Sequence, residues 1–348
     1  MKSPVVLTGG TGYLGAHILS QLLDKGYEVR LTARNPEKTK NEDWIKDLVS
    51  KYKDKLSFYA ADLEKEGSFD SAMIGAKSVI HAASPFKIEG IKDAKKELID
   101  PAVNGTKNVL TSVDKNGGIE KVVLTSSVAS IYGDASDIEL HKEDAFNESH
   151  WNTSSSINHQ PYSFSKVSAE KAAWSINTGK NWKLITINPG FILGPSLSKR
   201  GDSTSIKFML DMLGGKFKSG VPNLYFVLVD VRDVAAAHIL ALESDTANGR
   251  YICANETKDI LEIATILRDV VPGRKNKLPT KKLPNWLAYI FAPLLAGFSW
   301  NYLRKNLGIP LYTTNSKIKK DLNLTFRPLK ETLLDQANQV MDDGLVKK

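Results

Sequence analysis

Val5-Val6-Leu7-Thr8-Gly9-Gly10-Thr11-Gly12-Tyr13-Leu14-Gly15-Ala16 decides how this chain folds. An apolar run runs into glycines spaced G-x-x-G-x-x-G at Gly9, Gly12 and Gly15, and a segment of helical period follows over Ala16–Lys25. A strand, a glycine turn and a helix in that order let backbone amides approach a pyrophosphate at the positive end of the helix. Gly15 further allows the helix to pack closely on the sheet. The reading is a dinucleotide site, with Gly9, Thr11, Gly12, Tyr13 and Leu14 as its phosphate cradle.

Outward from the loop, the chain alternates. Strand-like runs fall at Val5–Thr8, Glu28–Thr32, Leu56–Tyr59, Ser78–His81, Lys121–Thr125 and Lys183–Ile187, with helical segments such as Tyr162–Asn177 between them. That alternation predicts α/β architecture: a doubly wound parallel sheet covered on both faces, the Rossmann arrangement. Beyond Pro189 the pattern loosens. A helix is expected around Ile206–Leu213, a strand over Tyr225–Val229 and a helix over Val231–Glu243. The expected division is a dinucleotide-binding domain over 1–190, completed by 224–247. A smaller, mostly helical substrate-binding cap takes 191–223 and 248–348.

Composition sets outer limits. The chain has 348 residues, 42% hydrophobic and 25% charged, with a net charge of +8. Such a charge suits anionic ligands, but no basic run is interleaved with aromatics as a nucleic-acid surface would be. Nucleic acid is not expected as a partner. The one cysteine, Cys253, follows Tyr251 and Ile252 in a short strand-like run and reads as a buried structural thiol. A strand begins within a few residues of Met1, leaving no room for a signal peptide. The expected compartment is the cytoplasm.

One segment stands apart. Pro284 to Leu303 is twenty residues without a charge, flanked by Lys281, Lys282, Arg304 and Lys305. The length approaches a membrane span, but Pro293, Gly297, Asn285, Ser299 and Asn301 weaken that reading. A buried or lid helix of the cap is expected, with contact along a membrane interface as the second reading.

The second strand run gives way to Ala33-Arg34-Asn35, nineteen residues beyond Gly15. An acid near this place would serve the ribose hydroxyls of NAD. Arg34 stands there instead, with Lys38 four residues on, and a guanidinium grips a 2′-phosphate bidentately. Two solvated surface cations would look the same; the reading taken is NADP(H). Asp62-Leu63 is placed to meet the adenine, although Asp62 serves equally well as a helix N-cap. His81-Ala82-Ala83-Ser84 follows the fourth strand on the nicotinamide side, where Ala82, Ala83 and Ser84 leave room for the cofactor. His81 is expected to be structural.

Tyr162-Ser163-Phe164-Ser165-Lys166 is a Y-x-x-x-K pattern heading a helix, so phenol and ammonium share one face. The ammonium and a cationic nicotinamide would favour the phenolate and lower the phenol's pKa. Thirty-five residues before Tyr162, the fifth strand ends Leu124-Thr125-Ser126-Ser127, putting a hydroxyl at the carboxyl edge of the sheet. Either serine could simply terminate the strand. No cluster suggests a metal.

Together these segments resemble the extended short-chain dehydrogenase/reductase family over roughly residues 3–270. The resemblance is nearest to the branch of dihydroflavonol reductases, cinnamoyl-CoA reductases and yeast-type methylglyoxal (carbonyl) reductases. It rests on Val122–Ser127, Tyr162–Ala173, Asn188-Pro189-Gly190 and Val229–Ala235. The resemblance implies a catalytic set of Ser127, Tyr162 and Lys166, with Ser127 preferred to Ser126 by its place in the T-S-S pattern. Thr125, Lys166, Pro189, Gly190 and Ile192 would complete the cofactor site. Hydride would pass from NADPH to an aldehyde or ketone carbon, with Tyr162 as general acid. Arg232-Asp233 would form structural ion pairs.

Many relatives open an N-V-x-G-T stretch with an asparagine that supports a water relay; here Ala102 takes that place, with Asn104 two residues on. The expected substrate is a small hydrophobic carbonyl compound bounded by Phe86, Val128, Ile131, Tyr132, Phe191 and the region Ser196–Phe226. Rival readings are an NAD-dependent sugar-nucleotide epimerase or dehydratase, a hydroxysteroid dehydrogenase and a non-catalytic NADP-sensing regulator. Monomer and homodimer are both compatible with the sequence.

Overall fold

The computed structural model describes residues 3–84, 90–141, 143–198, 203–296 and 299–346, with the side chains of 291–296 outside that description. Its centre is a seven-stranded parallel sheet. The strands are β1 (Val5–Thr8), β2 (Val29–Ala33), β3 (Leu56–Ala60), β4 (Ser78–His81), β5 (Lys121–Thr125), β6 (Lys183–Pro189) and, after two intervening strands, β9 (Gly249–Cys253). Their spatial order is β3-β2-β1-β4-β5-β6-β9. Every neighbouring pair is parallel. The order reverses between β1 and β4, and ligands of open α/β sheets bind in the crevice at such a reversal.

The inner strands are buried on both faces, so β1, β4 and most of β5 and β6 show no alternation of buried and exposed residues, and Thr186 and Asn188 of β6 are enclosed as well. The helices Tyr13–Asp24 and Val231–Glu243 cover one face through Ile18, Leu19, Leu22, Val234 and Ile239. The helices Asp100–Asn116 and Pro161–Asn177 cover the other. Lys121 is buried at the start of β5. Its ammonium donates to the carbonyls of Ala241, Leu242 and Ser244 at 3.2, 2.9 and 2.5 Å. These lie at the negative end of the Val231–Glu243 helix, which satisfies both the cation and the helix terminus.

A second sheet of three strands holds β7 (Phe191–Leu193), β8 (Tyr225–Asp230) and β10 (Glu256–Asp259), in the order β10-β8-β7. Two segments pair differently from the expected division. The strand expected over Tyr225–Val229 does form, but it belongs to the small sheet, parallel to β7 and antiparallel to β10. Residues 249–253, expected in the cap, are instead the seventh strand of the main sheet, beside β6. Ile318, Leu322 and Leu324 also pack into the main core. The cap has its own core, in which Ile206, Met209, Leu213, Ile263, Leu267, Leu333 and Val340 meet. Arg232 fastens cap to body with 2.7 Å ion pairs to Asp230 and Asp335, and Asp233 pairs with Arg327.

The uncharged stretch 284–303 is not one helix. It forms Asn285–Ala296 and the start of Trp300–Asn306. Among the described residues no helix is long and apolar enough to cross a membrane. Of the expected buried or lid helix, full burial does not hold: Trp286 is 63%, Ile290 49% and Trp300 70% exposed, while Ala288 and Leu303 are buried.

Candidate active site

The glycine loop closes against the end of β4. Gly9 adopts φ +72°, and a Cβ there would sit 2.5 Å from the Ala83 nitrogen. A Cβ on Gly15 would lie 2.0 Å from the Gly9 oxygen. Those contacts forbid any side chain at either position. Gly12 caps the helix and donates its N–H to Gly9 O at 3.0 Å. The amides of Tyr13 and Leu14 fall in the first turn, where a helix has no acceptors of its own. Such a cradle, too tight for a Cβ and lined with amides, fits a dinucleotide's pyrophosphate. The Tyr13 side chain is engaged elsewhere, its hydroxyl donating to Gly194 O at 2.6 Å. Leu14 and Ile192 pack partly buried against the main core, and Thr11 is half-buried.

Arg34 and Lys38 stand exposed just beyond β2, and neither has a carboxylate partner among the described residues. The Asn35 side chain caps the short helix Pro36–Lys40 by accepting the Lys38 N–H at 2.9 Å, which fixes the turn that carries both cations. Asp62 caps no helix. Its Oδ1 accepts the Glu64 N–H at 3.1 Å within a turn. His81 is buried, its Nδ1 2.7 Å from Thr8 Oγ1, while the Ala83 N–H donates to the same hydroxyl at 3.1 Å. Burial, with Lys166 nearby, pushes His81 down to about 3, so it is neutral and structural. Ala82 packs on the core at the same strand end.

Lys166 is held in this crevice. Its ammonium donates to Ser84 Oγ at 3.0 Å and lies 5.7 Å from the centre of the Tyr162 ring. Burial lowers Lys166 to about 8 and raises Tyr162 to about 12. A cavity of about 20 Å³, room for one water, is lined by Leu63, Ala83, Ser84, Ala102, Thr106, Thr125, Lys166 and Glu170, among others. Ala102 thus faces Lys166, while Asn104 is exposed on another face of its helix.

The two serines part company. Ser126 donates to the buried Glu170 carboxylate and lies 2.9 Å from Ser130. Glu170 also accepts from Arg250 at 2.6 Å, Asn188 at 2.8 Å, Thr186 at 3.2 Å and Trp174 at 3.2 Å. Ser127 instead lines a second cavity and caps the following turn by accepting the Ala129 N–H at 3.1 Å. Asn188 links the two, donating to Ser127 O at 3.1 Å as well as to Glu170. Thr125 lines the small cavity, but its hydroxyl is engaged: it donates to His238 Nε2 at 2.7 Å, because the other ring nitrogen donates to Val234 O.

The second cavity has a volume of about 270 Å³. Ser127, Tyr162 and Gly190 border it together with Val128, Tyr132, Phe191, Leu224, Tyr225 and Phe226. Gly190, next to Pro189 at the end of β6, is required there, since a Cβ would meet Val227 O at 2.3 Å. Ile131 is fully buried in the core behind the wall and does not line the cavity. It lies one position before Tyr132, which stacks on Phe146 at 4.8 Å. Phe86 lies outside the described residues. Among the described residues of the region Ser196–Phe226, Leu224, Tyr225 and Phe226 reach the wall. Sequence reasoning missed Gln160, Tyr302, Asn306, Ile309 and Leu311, which complete it from a strained turn and the far C-terminal third. No periodicity or motif marks them. Glu170, Asn188 and Arg250 were also missed as a group; a buried acid four residues past Lys166 on the same helix was the available signal.

The sequence model described as the NAD dependent epimerase/dehydratase family matches residues 5–254. Cinnamoyl-CoA reductase CAD2 of Medicago truncatula is 33% identical, over 97% of this chain and 95% of its own. Ketoreductase azaE of Aspergillus niger is 32% identical over 99% of both chains. Among solved structures, Gre2 of Candida albicans in complex with NADPH superposes with a TM-score of 0.80 at 30% identity, covering 97% of this chain and 98% of that one. A match extending over more than two thirds of the chain, with relatives aligned nearly end to end, leaves one assignment: the chain belongs to the NAD dependent epimerase/dehydratase family.

Proposed function

We propose that this protein is an NADPH-dependent reductase that converts a hydrophobic aldehyde or ketone to the alcohol. One observation carries the reading. Ser127 and Tyr162 border a cavity with an aromatic and aliphatic wall, while Lys166, one helical turn from Tyr162, lies in the adjoining crevice against Ser84. A hydrophobic wall with a few placed hydroxyls suits an apolar carbonyl compound better than a sugar nucleotide. The relatives named as reductases, together with a solved structure that holds NADPH, support the same direction.

When bound, the cofactor supplies the hydride. Gly9, Gly12 and Gly15 shape the loop for its pyrophosphate, and Arg34 with Lys38 offers unpaired positive charge for a 2′-phosphate. Ser127 accepts the Ala129 N–H, which leaves its own O–H proton to donate to a carbonyl oxygen. Such a donor is worth about 3 kcal/mol in the transition state. The Tyr162 phenol, kept protonated at neutral pH by burial, delivers its proton to the same oxygen. Lys166 keeps most of its charge at pH 7 and offsets the charge of the phenolate left behind.

The test is oxidation of NADPH, followed at 340 nm, against hydrophobic aldehydes, diketones and aryl ketones, with NADH in parallel and Tyr162→Phe as control. The expected result is turnover with NADPH, weak turnover with NADH, and loss of about 10²–10⁴ in rate in the variant. A preference for NADH, or full activity in Tyr162→Phe, overturns the proposal.

A further inference from the structure

From residue 270 to residue 320 the chain contains no Asp or Glu and ten Lys or Arg. The other residues hold 37 of the 47 basic side chains against 39 acidic ones, a net of −2. All of the protein's positive excess therefore originates in one stretch of fifty-one residues. Among the described residues, that stretch also carries the large aromatic residues that the fold leaves uncovered.

Trp286 and Ile290 stand one turn apart on the helix Asn285–Ala296, so they share a face. Trp300 opens the next helix, which contacts the first. These three side chains are 63%, 49% and 70% exposed. The same helix pair is anchored underneath by Ala288 and Leu303, which are buried, so the outward face is a fixed surface. Some of the cations nearby are committed: Lys282 pairs with Asp259 at 2.6 Å and Lys305 with Asp134 at 3.1 Å. Lys275, Lys277, Lys281 and Arg304 are exposed and form no ion pair among the described residues.

We infer that this face docks on an anionic phospholipid surface, with Trp286, Ile290 and Trp300 entering the headgroup boundary and the exposed cations of the same stretch meeting lipid phosphates and carboxylates. Tryptophan is at home at that boundary because its ring is apolar and its N–H is polar. Paired aromatic insertion and basic attraction is the means by which a peripheral protein binds a bilayer it does not cross. Each cation close to such a surface contributes about a fivefold gain in partitioning. A water-soluble protein partner of ordinary composition would need a strong acidic patch to meet this face, whereas an anionic bilayer supplies charge and apolar depth together.

The docking does not depend on the reaction proposed above, but it has a consequence that does. The short helix opened by Trp300 also carries Tyr302 and Asn306, which line the larger cavity. Docking would bring that wall of the cavity to the lipid, where hydrophobic carbonyl compounds collect.

The experiment is co-sedimentation of the full chain with phosphatidylcholine vesicles and with phosphatidylcholine–phosphatidylserine vesicles, at low and high salt. The variants are Trp286→Ser/Trp300→Ser and Lys281→Glu/Arg304→Glu. The expected result is binding to the anionic vesicles alone, reduced by salt and weakened by about tenfold or more in each variant. Thermal unfolding midpoints should match the parent, since only exposed side chains change. Absence of sedimentation with anionic vesicles overturns the inference, as does undiminished binding by both variants. A lipid-free dimer of the parent that Trp286→Ser/Trp300→Ser converts to monomer also overturns it, by giving the face to a second copy of the chain.

Discussion

Replacing Arg250 by methionine should be among the most damaging single changes in the protein, although the residue touches neither cavity. Its guanidinium is buried and donates to Glu170 at 2.6 Å and to the carbonyls of Glu148, His150 and Ser130 at 3.1, 2.5 and 3.1 Å. Methionine fills much of the same volume but leaves the fully buried Glu170 carboxylate with only neutral donors. Breaking one side of a buried pair costs about 3–5 kcal/mol, because the remaining charge stays desolvated. For a chain of 348 residues that corresponds to a fall of roughly 4–7 °C in the melting midpoint. Glu170→Gln on top of Arg250→Met removes the stranded charge while keeping acceptors for Ser126 and Asn188. The double variant should therefore be more stable than Arg250→Met alone, a strongly non-additive cycle. Urea denaturation of the four proteins of the cycle measures this. A cost below about 1 kcal/mol for Arg250→Met, the range of an exposed pair, or simple additivity in the cycle, would refute the argument.

Lys166→Met should stabilise the fold while abolishing reduction. The ammonium is held at about 8, below its ordinary 10.5, so the unfolded chain binds the proton more tightly and the buried cation costs stability below pH 8. The gain at pH 7 is about 1–3 kcal/mol in denaturant unfolding and should shrink as pH rises from 8 towards 10.5; a loss of stability at neutral pH would count against it. Arg34→Ser should weaken NADPH binding by about 1.5–3 kcal/mol, the worth of a charge-assisted contact. NADH binding should hardly change, and equal losses for both in fluorescence titration would place Arg34 outside the ribose site. Gly15→Ala should abolish dinucleotide binding and lower stability, since its Cβ would fall 2.0 Å from the Gly9 oxygen. A variant that still binds NADPH normally by calorimetry would show that the loop yields more easily than its geometry implies.

The inner strands of the main sheet were legible because they are buried on both faces. Val5–Thr8, Ser78–His81 and Lys121–Thr125 match the apolar runs residue for residue. β10 was not legible, because Glu-Thr-Lys-Asp has no apolar residue and is held in place by its partner β8. β9 showed itself only as Tyr251-Ile252-Cys253, and nothing local could say that it returns to β6 after a long excursion. The site divides in the same way. The glycine loop, the strand-end serines and the Tyr162/Lys166 spacing are local patterns and could be read. The cavity wall could be read only in part, since Tyr302, Asn306 and Leu311 join Val128 around the cavity through tertiary packing alone. Ile131 and Tyr132 are adjacent in the chain, and only the path of the turn after Ser127 decides which of them reaches the cavity.

The late return of β9 also bears on how the protein is made. As the chain is synthesised, the first 190 residues emerge with six strands able to pair and with β6 as an open edge. Glu170 is then already enclosed by its helix and by β6, and its cation is some sixty residues from being translated. A nascent chain halted there presents an unpaired edge strand, the kind of surface through which incomplete chains associate. Whatever shelters a growing chain from its neighbours must do so until Cys253 has cleared the ribosome. A gene cut between residues 190 and 191 would make a product that aggregates rather than a free-standing nucleotide-binding module.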